Sequence, residues 1–206
     1  MIQLFSDIIT NHKVAREGGQ LRSDTLRMIT KKKYHVDIGL YSYGGCFNHD
    51  FNVGGLEVII GRYCSFATHV HYFGASHPVE KCVMSPFFYN RTLGLNVEDV
   101  PRSRLLIGND VWVGEGVIIT KNCKEIGNGA VIGAGTVLTK SVPPYSICYG
   151  NPGVVHKYRF DETERQMLND SQWWTFSPEE LMEFYAIMED PVLFATEILK
   201  RKKGNS

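Results

Sequence analysis

The chain has no surplus of charge of either sign: lysine plus arginine and aspartate plus glutamate both number 22. With nothing to pull the protein onto a phosphate backbone, nucleic acid is excluded as a main partner. Lys31-Lys32-Lys33 and Arg201-Lys202-Lys203 are the basic clusters, and both read as solvated surface. Apolar runs fall short of the roughly 20 residues that cross a bilayer, so no membrane span is expected. Met1-Ile2-Gln3-Leu4-Phe5-Ser6-Asp7 lacks the charged start and long apolar core of a secretory signal. The five cysteines, Cys46, Cys64, Cys82, Cys123 and Cys148, are an odd number without a C-x-x-C pair or zinc-like spacing. Reduced, mostly buried thiols in a cytoplasmic protein are expected. The 206 residues suit one principal domain with appendages.

What the chain does have is a period of six. Ile107, Val113 and Ile119 stand six apart, and after one slip Ile126, Ile132 and Leu138 do so again. Val111, Val117, Ala130 and Thr136 lie two residues before members of that series, and glycine follows the large residue at Gly108, Gly114, Gly127 and Gly133. Six matches neither the 3.6 period of an amphipathic helix nor a hairpin meander; it fits a parallel β-solenoid with short strands stacked coil on coil. Each hexad would be one flat face, its aliphatic residue inward and its glycine or asparagine at the corner. The interval from Ile119 to Ile126 is seven, which predicts a local bulge that leaves the coils on either side intact.

Outside the repeat the text changes three times. Residues 1–36 mix apolar and charged side chains at loosely helical spacing and read as a cover over the blunt end of the solenoid. Residues 37–158 carry the coils, with Val58-Ile59-Ile60-Gly61 repeating the isoleucine-glycine corner, and an excursion over residues 78–104 has no hexad pattern. An unpatterned stretch of that length is usually functional, and Pro86-Phe87-Phe88-Tyr89 argues against disorder. Residues 159–206 turn helical, with starts at Asp161-Glu162-Thr163-Glu164, at Ser177-Pro178-Glu179-Glu180 and at Asp190-Pro191.

Ile107-Gly108-Asn109-Asp110-Val111-Trp112-Val113-Gly114, Ile132-Gly133-Ala134-Gly135-Thr136-Val137-Leu138-Thr139-Lys140, Val142-Pro143-Pro144-Tyr145 and Gly150-Asn151-Pro152 occur in that order. This set resembles the acetyl-CoA-binding half of the hexapeptide-repeat acyltransferases. Lys157-Tyr158-Arg159-Phe160 and Trp173-Trp174 resemble the xenobiotic branch, which modifies chloramphenicol and streptogramins. The likeness runs from about Val36 to Trp174. It implies a mainly β protein, a left-handed parallel β-helix with a long loop excursion and C-terminal α-helices, assembled as a homotrimer. The left hand comes from the resemblance, since parallel crossovers generally take the other hand.

Acetyl transfer from a thioester to an alcohol needs a base for the hydroxyl proton and a slot for the donor, acetyl-CoA. Imidazole, with an unperturbed pKa of about 6.5, is mostly neutral at pH 7 and suits the first task. Among seven histidines, His77 in Ala75-Ser76-His77-Pro78 stands where the chain leaves the repeat. Its surroundings resemble the family's small-His-Pro segment, which implies that His77 is the general base. No serine or cysteine nucleophile is required. Carried over from the family, Trp112, Gly114 and Ala134 would line the pantetheine, Thr139 and Lys140 the nucleotide end, and Pro143, Pro144, Lys157 and Arg159 the adenine and its phosphates. Phe87, Phe88 and Tyr89 would face the acceptor, either a sugar or polysaccharide precursor or a hydroxylated antibiotic, or else anchor the loop.

Two other readings stay open on the same fold. His69 and His71, spaced to share a face of a strand, could hold a metal as in the γ-class carbonic anhydrases, but no third histidine lies in register on a neighbouring coil, so no metal is expected. A catalytically silent scaffold is the other.

Overall fold

A computed structural model describes residues 10–93 and 96–204. The first nine residues of the cover segment, including those weighed as a secretory signal, lie outside the described residues. Residues 10–16 (α1), Gly19–Arg22 (α2) and Asp24–Tyr34 (α3) are helical. Ser23 caps α3 by accepting the Leu26 N–H, and the Lys31-Lys32-Lys33 run falls in its last turn, where cations suit the helix dipole. Leu26 and Tyr34 pack on the core of the coils, and buried Arg27 donates to the carbonyls of Leu21 and Gly39, so α3 covers the first coil.

The coils follow as β1 (Val36–Ile38), β2 (Tyr43–Gly44), β3 (Asn52–Val53), β4 (Val58–Ile60), β5 (Ser65–Phe66), β6 (His71–Phe73), β7 (Leu105–Ile107), β8 (Trp112–Val113), β9 (Ile118–Thr120), β10 (Glu125–Ile126), β11 (Val131–Ile132), β12 (Val137–Leu138) and β13 (Ser146–Tyr149). The chain visits three parallel sheets in rotation: β1-β4-β7-β10, then β2-β5-β8-β11-β13, then β3-β6-β9-β12. β14 (Val154–Tyr158) closes the second sheet as an antiparallel partner of β13.

The inward residues of the repeat stack in register, Ile60 on Ile107 on Ile126, Val113 on Ile132 on Cys148, and Ile119 on Leu138. All belong to one apolar cluster and are nearly or wholly buried. Each such aliphatic contributes about 1.5–3 kcal/mol of transfer free energy, and six-residue spacing is what brings every one of them to the same cluster. The glycines after them do something other than bend the corner. A Cβ on Gly114 would stand 2.6 Å from the Ala134 nitrogen, and one on Gly127 would stand 2.4 Å from the Pro144 nitrogen. These positions are therefore glycine because the next coil presses on them, while left-handed backbone falls at other corner residues such as Gly116 and Gly135.

The seven-residue interval is absorbed in the turn at 121–124 rather than within a strand. Cys123 N–H donates to the Thr120 carbonyl across that turn, and the flanking registers, Ile119 with Leu138 and Ile126 with Ile107, are kept. Corners tolerate an extra residue because only the strands must hold a side-chain alternation.

The excursion leaves after β6 and returns at β7. Its stem is pinned, with Ser103 N–H and hydroxyl both donating to the Gly74 carbonyl and the Tyr72 hydroxyl 2.7 Å from Ser103 Oγ. The three helical starts after residue 158 appear as α4 (Glu162–Ser171), α5 (Pro178–Leu181) and α6 (Pro191–Gly204), the first two opening on complete capping boxes at Asp161 and Ser177. They form a second apolar cluster around Leu168, Phe176, Phe194 and Ile198, joined to the coils through Tyr145. That cluster lies along the corner between the first and second sheets, where Tyr41, Tyr63, Asp110, Gly129 and Tyr145 all take positive φ. A Cβ on Gly129 would meet the Tyr145 ring at 2.4 Å and the Arg159 guanidinium at 3.2 Å, so glycine there makes room for both.

Candidate active site

His77 sits just past β6, solvent-exposed, while Pro78 behind it is buried. Its Nδ1 lies 2.9 Å from the Met84 carbonyl and 2.8 Å from the Tyr89 hydroxyl. A carbonyl can only accept, so Nδ1 is the donor to Met84, with Tyr89 Oη beside it, and Nε2 has no partner among the described residues. Tyr89 is buried, its ring edge-on to the imidazole at 5.6 Å, and it fixes the plane of His77. Seven residues of loop thus turn back to hold the imidazole in one orientation. Beside it opens a cavity of about 210 Å³ lined by Phe73, Ser76, Pro86, Asn90 and Arg102, among others. Of the three aromatics expected to face an acceptor, Tyr89 lines this cavity, whereas Phe87 and Phe88 stand at the surface in a 3-10 turn and do not.

The expected donor residues fall in three places. Trp112, on β8, is 60 % exposed on the outer side of the second sheet. Gly114 and Ala134 occupy the corner between the second and third sheets on successive coils, tied by Gly114 N–H to the Ile132 carbonyl at 2.8 Å. The Ala134 N–H donates to no group among the described residues. Thr139 and exposed Lys140 follow β12 at the next corner, the one His77 occupies two strands away, or about 10 Å along the stack. Lys157 is on β14 and pairs in register with Ile147. Arg159 uses Nη1 on Asp110 at 3.2 Å and on the Gly129 carbonyl at 2.9 Å, and its guanidinium lies over the Tyr145 and Phe160 rings. One chain therefore places Trp112, Gly114 and Ala134 together but leaves His77 at the opposite edge of the third sheet.

Arg159 and Asp110 also wall a second cavity of about 200 Å³ between the coils and the C-terminal helices, otherwise lined by Tyr145, Leu168, Trp173 and Phe194. Burial pushes the Asp110 carboxyl up, and Arg159 opposes that shift. Burial likewise pushes the thiols of Cys64 and Cys123 up to about 12 and raises Cys46 and Cys148, so none of the four supplies a thiolate at neutral pH.

His69 and His71 make separate bonds, His69 Nδ1 with Glu115 and His71 Nδ1 with the Asp50 carbonyl at 3.0 Å. Among the described residues no group of three or more His, Cys, Asp or Glu side chains is placed to hold a metal ion. No helix among them is long and apolar enough to cross a membrane. Two contributors escaped the sequence reading. The Met84 carbonyl carries no side-chain signal, and Glu115 pairs with His69 across the excursion, 46 residues away, visible only once the coils are stacked in register.

No protein-family model matches the chain. It is 34% identical over 147 residues to a probable macrolide acetyltransferase of Lysinibacillus sphaericus, covering 68% of this chain and 81% of the relative. It is 31% identical over 171 residues to a chloramphenicol acetyltransferase of Escherichia coli, covering 74% of this chain and 81% of that one. Among solved structures it superposes on AntD, an N-acyltransferase from Bacillus cereus in complex with dTDP and 3-hydroxybutyryl-CoA, with a TM-score of 0.50 and 22% identity over 66% of this chain and 70% of AntD.

Proposed function

The chain belongs to the hexapeptide-repeat acetyltransferases, in the xenobiotic branch of its macrolide and chloramphenicol relatives, and from that premise we propose that it moves acetyl from acetyl-CoA to a hydroxyl, with His77 as general base. The observation that carries the mechanism is the bond from His77 Nδ1 to the Met84 carbonyl, which leaves Nε2 as the free base. As the acceptor oxygen attacks the thioester carbon, Nε2 takes its proton; the C–S bond then breaks and the imidazolium returns that proton to the departing thiolate. A direct transfer of this kind needs no acyl-enzyme, in keeping with four buried, protonated thiols.

In this reading the coil is left-handed and the protein a homotrimer. A second copy is needed because His77 and the Trp112–Gly114–Ala134 corner lie at opposite edges of one sheet in a single chain. Facing copies would bring the base of one to the slot of the next. The donor's pantetheine would lie along Gly114 and Ala134 beside Trp112, the unpaired Ala134 N–H serving an amide. Thr139 and Lys140 would stand at its nucleotide end, with Lys157 and the uncommitted part of the Arg159 guanidinium toward its phosphates. The acceptor, a hydroxylated antibiotic or a sugar, would enter the cavity beside His77, with Phe87 and Phe88 at its rim.

The test follows free thiol release from acetyl-CoA across hydroxylated antibiotics and sugars. His77→Ala is expected to lower kcat by about 10²–10⁴-fold, the usual worth of a general base, with little change in acetyl-CoA affinity. Wild-type kcat in that variant would refute the assignment. A sedimentation mass of one chain at micromolar concentration would refute the trimer.

A further inference from the structure

The corner that carries Gly114 and Ala134 holds another fixed pair, Glu115 beside Gly114 and His69 one coil earlier in the stack. His69 Nδ1 meets one oxygen of Glu115, and the other oxygen accepts the His69 backbone N–H at 3.3 Å. The backbones under both are tied coil to coil, Gly116 N–H to the His69 carbonyl at 2.9 Å and Gly135 N–H to the Glu115 carbonyl at 2.7 Å. The bond from the His69 ring, then that from its backbone N–H, holds the Glu115 carboxyl below the usual carboxylate range, so at neutral pH it is an anion that only accepts. Nδ1 of His69 therefore donates to it, which leaves Nε2 as the ring's uncommitted nitrogen. That Nε2 has no partner among the described residues, and both side chains are open to solvent, 71% and 52% exposed. His71 and His77, by contrast, already face backbone carbonyls, and His156 is stacked on Tyr149. The result is a carboxylate with free lone pairs beside an uncommitted imidazole nitrogen, both held in place.

Where the pair sits says which part of the reaction it meets. This step rests on the reading just proposed, in which the donor's nucleotide end lies by Lys140 and Lys157 on the late coils and its pantetheine runs along one corner from Ala134 to Gly114. Continuing along the same corner by one coil arrives at His69, so the acyl end of the donor points at the pair. An acceptor that reaches the thioester must pass over it.

We propose that His69 and Glu115 form an acceptor subsite for a polyhydroxylated molecule, binding one hydroxyl while a neighbouring hydroxyl is presented to the partner subunit's His77. His69 Nε2 and the free lone pairs of Glu115 accept hydrogen bonds that a mono-hydroxyl acceptor cannot donate. The pair is thus a specificity determinant that selects diols and polyols, a class sugars fall in, and it does not take part in proton transfer.

The experiment compares kcat/KM for a diol acceptor and for its mono-deoxy analogue, with acetyl-CoA affinity measured by calorimetry, in wild type, His69→Ala and Glu115→Gln. Glu57→Gln, just before β4 and paired with Arg104, serves as a control, and thermal melting confirms that each variant folds. Wild type is expected to prefer the diol by about tenfold or more, as one or two hydrogen bonds to an anionic or imidazole acceptor would give. Both variants should bring that preference close to unity with acetyl-CoA affinity unchanged. A preference that survives both substitutions overturns the subsite. So does an equal loss on both acceptors together with weaker acetyl-CoA binding, which would move the pair to the donor. If wild type acetylates neither acceptor nor any other alcohol, the acetyl-transfer reading itself falls; wild-type turnover with an unaltered preference in the variants sinks the subsite alone.

Discussion

Gly114→Ala tests the claim that the repeat's glycines are set by the pressure of the next coil. The added methyl would lie 2.6 Å from the Ala134 nitrogen and 2.9 Å from its Cα, both backbone atoms that cannot turn aside, where ordinary contact begins at 3.4 Å. Relieving the clash would part the two coils by about 0.8 Å and stretch the Gly114 N–H bond to Ile132 from 2.8 Å to about 3.6 Å, beyond hydrogen-bonding range. The lost bond costs about 1 kcal/mol and overpacking about 1–3, for a total of about 2–4 kcal/mol. In a chain of this size that lowers Tm by about 5–12 °C. Gly135→Ala is the matched control. It has φ of +70° but nothing within 4 Å of a Cβ, so only the left-handed backbone penalty of about 1–2 kcal/mol applies. Calorimetric melting of both variants decides the matter, and acetyl-CoA titration should show weaker binding in Gly114→Ala because Ala134 moves. A Gly114→Ala protein that melts within 2 °C of wild type, or no lower than Gly135→Ala, would refute the argument.

Two further perturbations probe charge. Bonds from the Ser23 hydroxyl and from the backbone and side chain of Thr25 lower the Glu17 carboxyl to about 2, so its contribution is present above about pH 4.5 and is lost as pH falls toward 2. Glu17→Gln should therefore flatten the loss of Tm across that acid window, and an unchanged slope would contradict the assignment. Arg159→Met leaves Asp110 walled in without its cation; since burial already raises that carboxyl, the variant's Tm deficit should grow as pH rises from 4 to 7. A deficit independent of pH would show that Arg159 acts by packing over Tyr145 and Phe160 rather than by charge.

Much of the fold was legible because the solenoid repeats locally. Ile107, Val113, Ile119, Ile126, Ile132 and Leu138 each declare an inward face every six residues, and all six are buried. The capping boxes at Asp161 and Ser177 were legible for a similar reason, since both halves of each lie within four residues. Other features were not. The seven-residue interval announced an irregularity, but strand and corner read alike in sequence, and only the corner can take an extra residue without turning side chains over. The repeat's glycines looked like bends because glycine serves both purposes, and the distinction depends on what the next coil brings near.

By itself the sequence determined a stacked coil of six-residue faces, its apolar interior, the point where the chain leaves it at His77, and the helical segments at its end. These are short-range properties, written in neighbours and in a period. The tertiary structure decided what the departing loop does, because only the folded chain returns the Met84 carbonyl and the Tyr89 ring to His77 and so leaves Nε2 as its uncommitted nitrogen. It also decided that Glu115 would hold His69, and that His77 would stand at the opposite edge of the third sheet from Trp112, Gly114 and Ala134. The returning excursion converts a separation of 12 residues into a contact and stacking does so for one of 46, and no local pattern in the chain records which residues they will bring together.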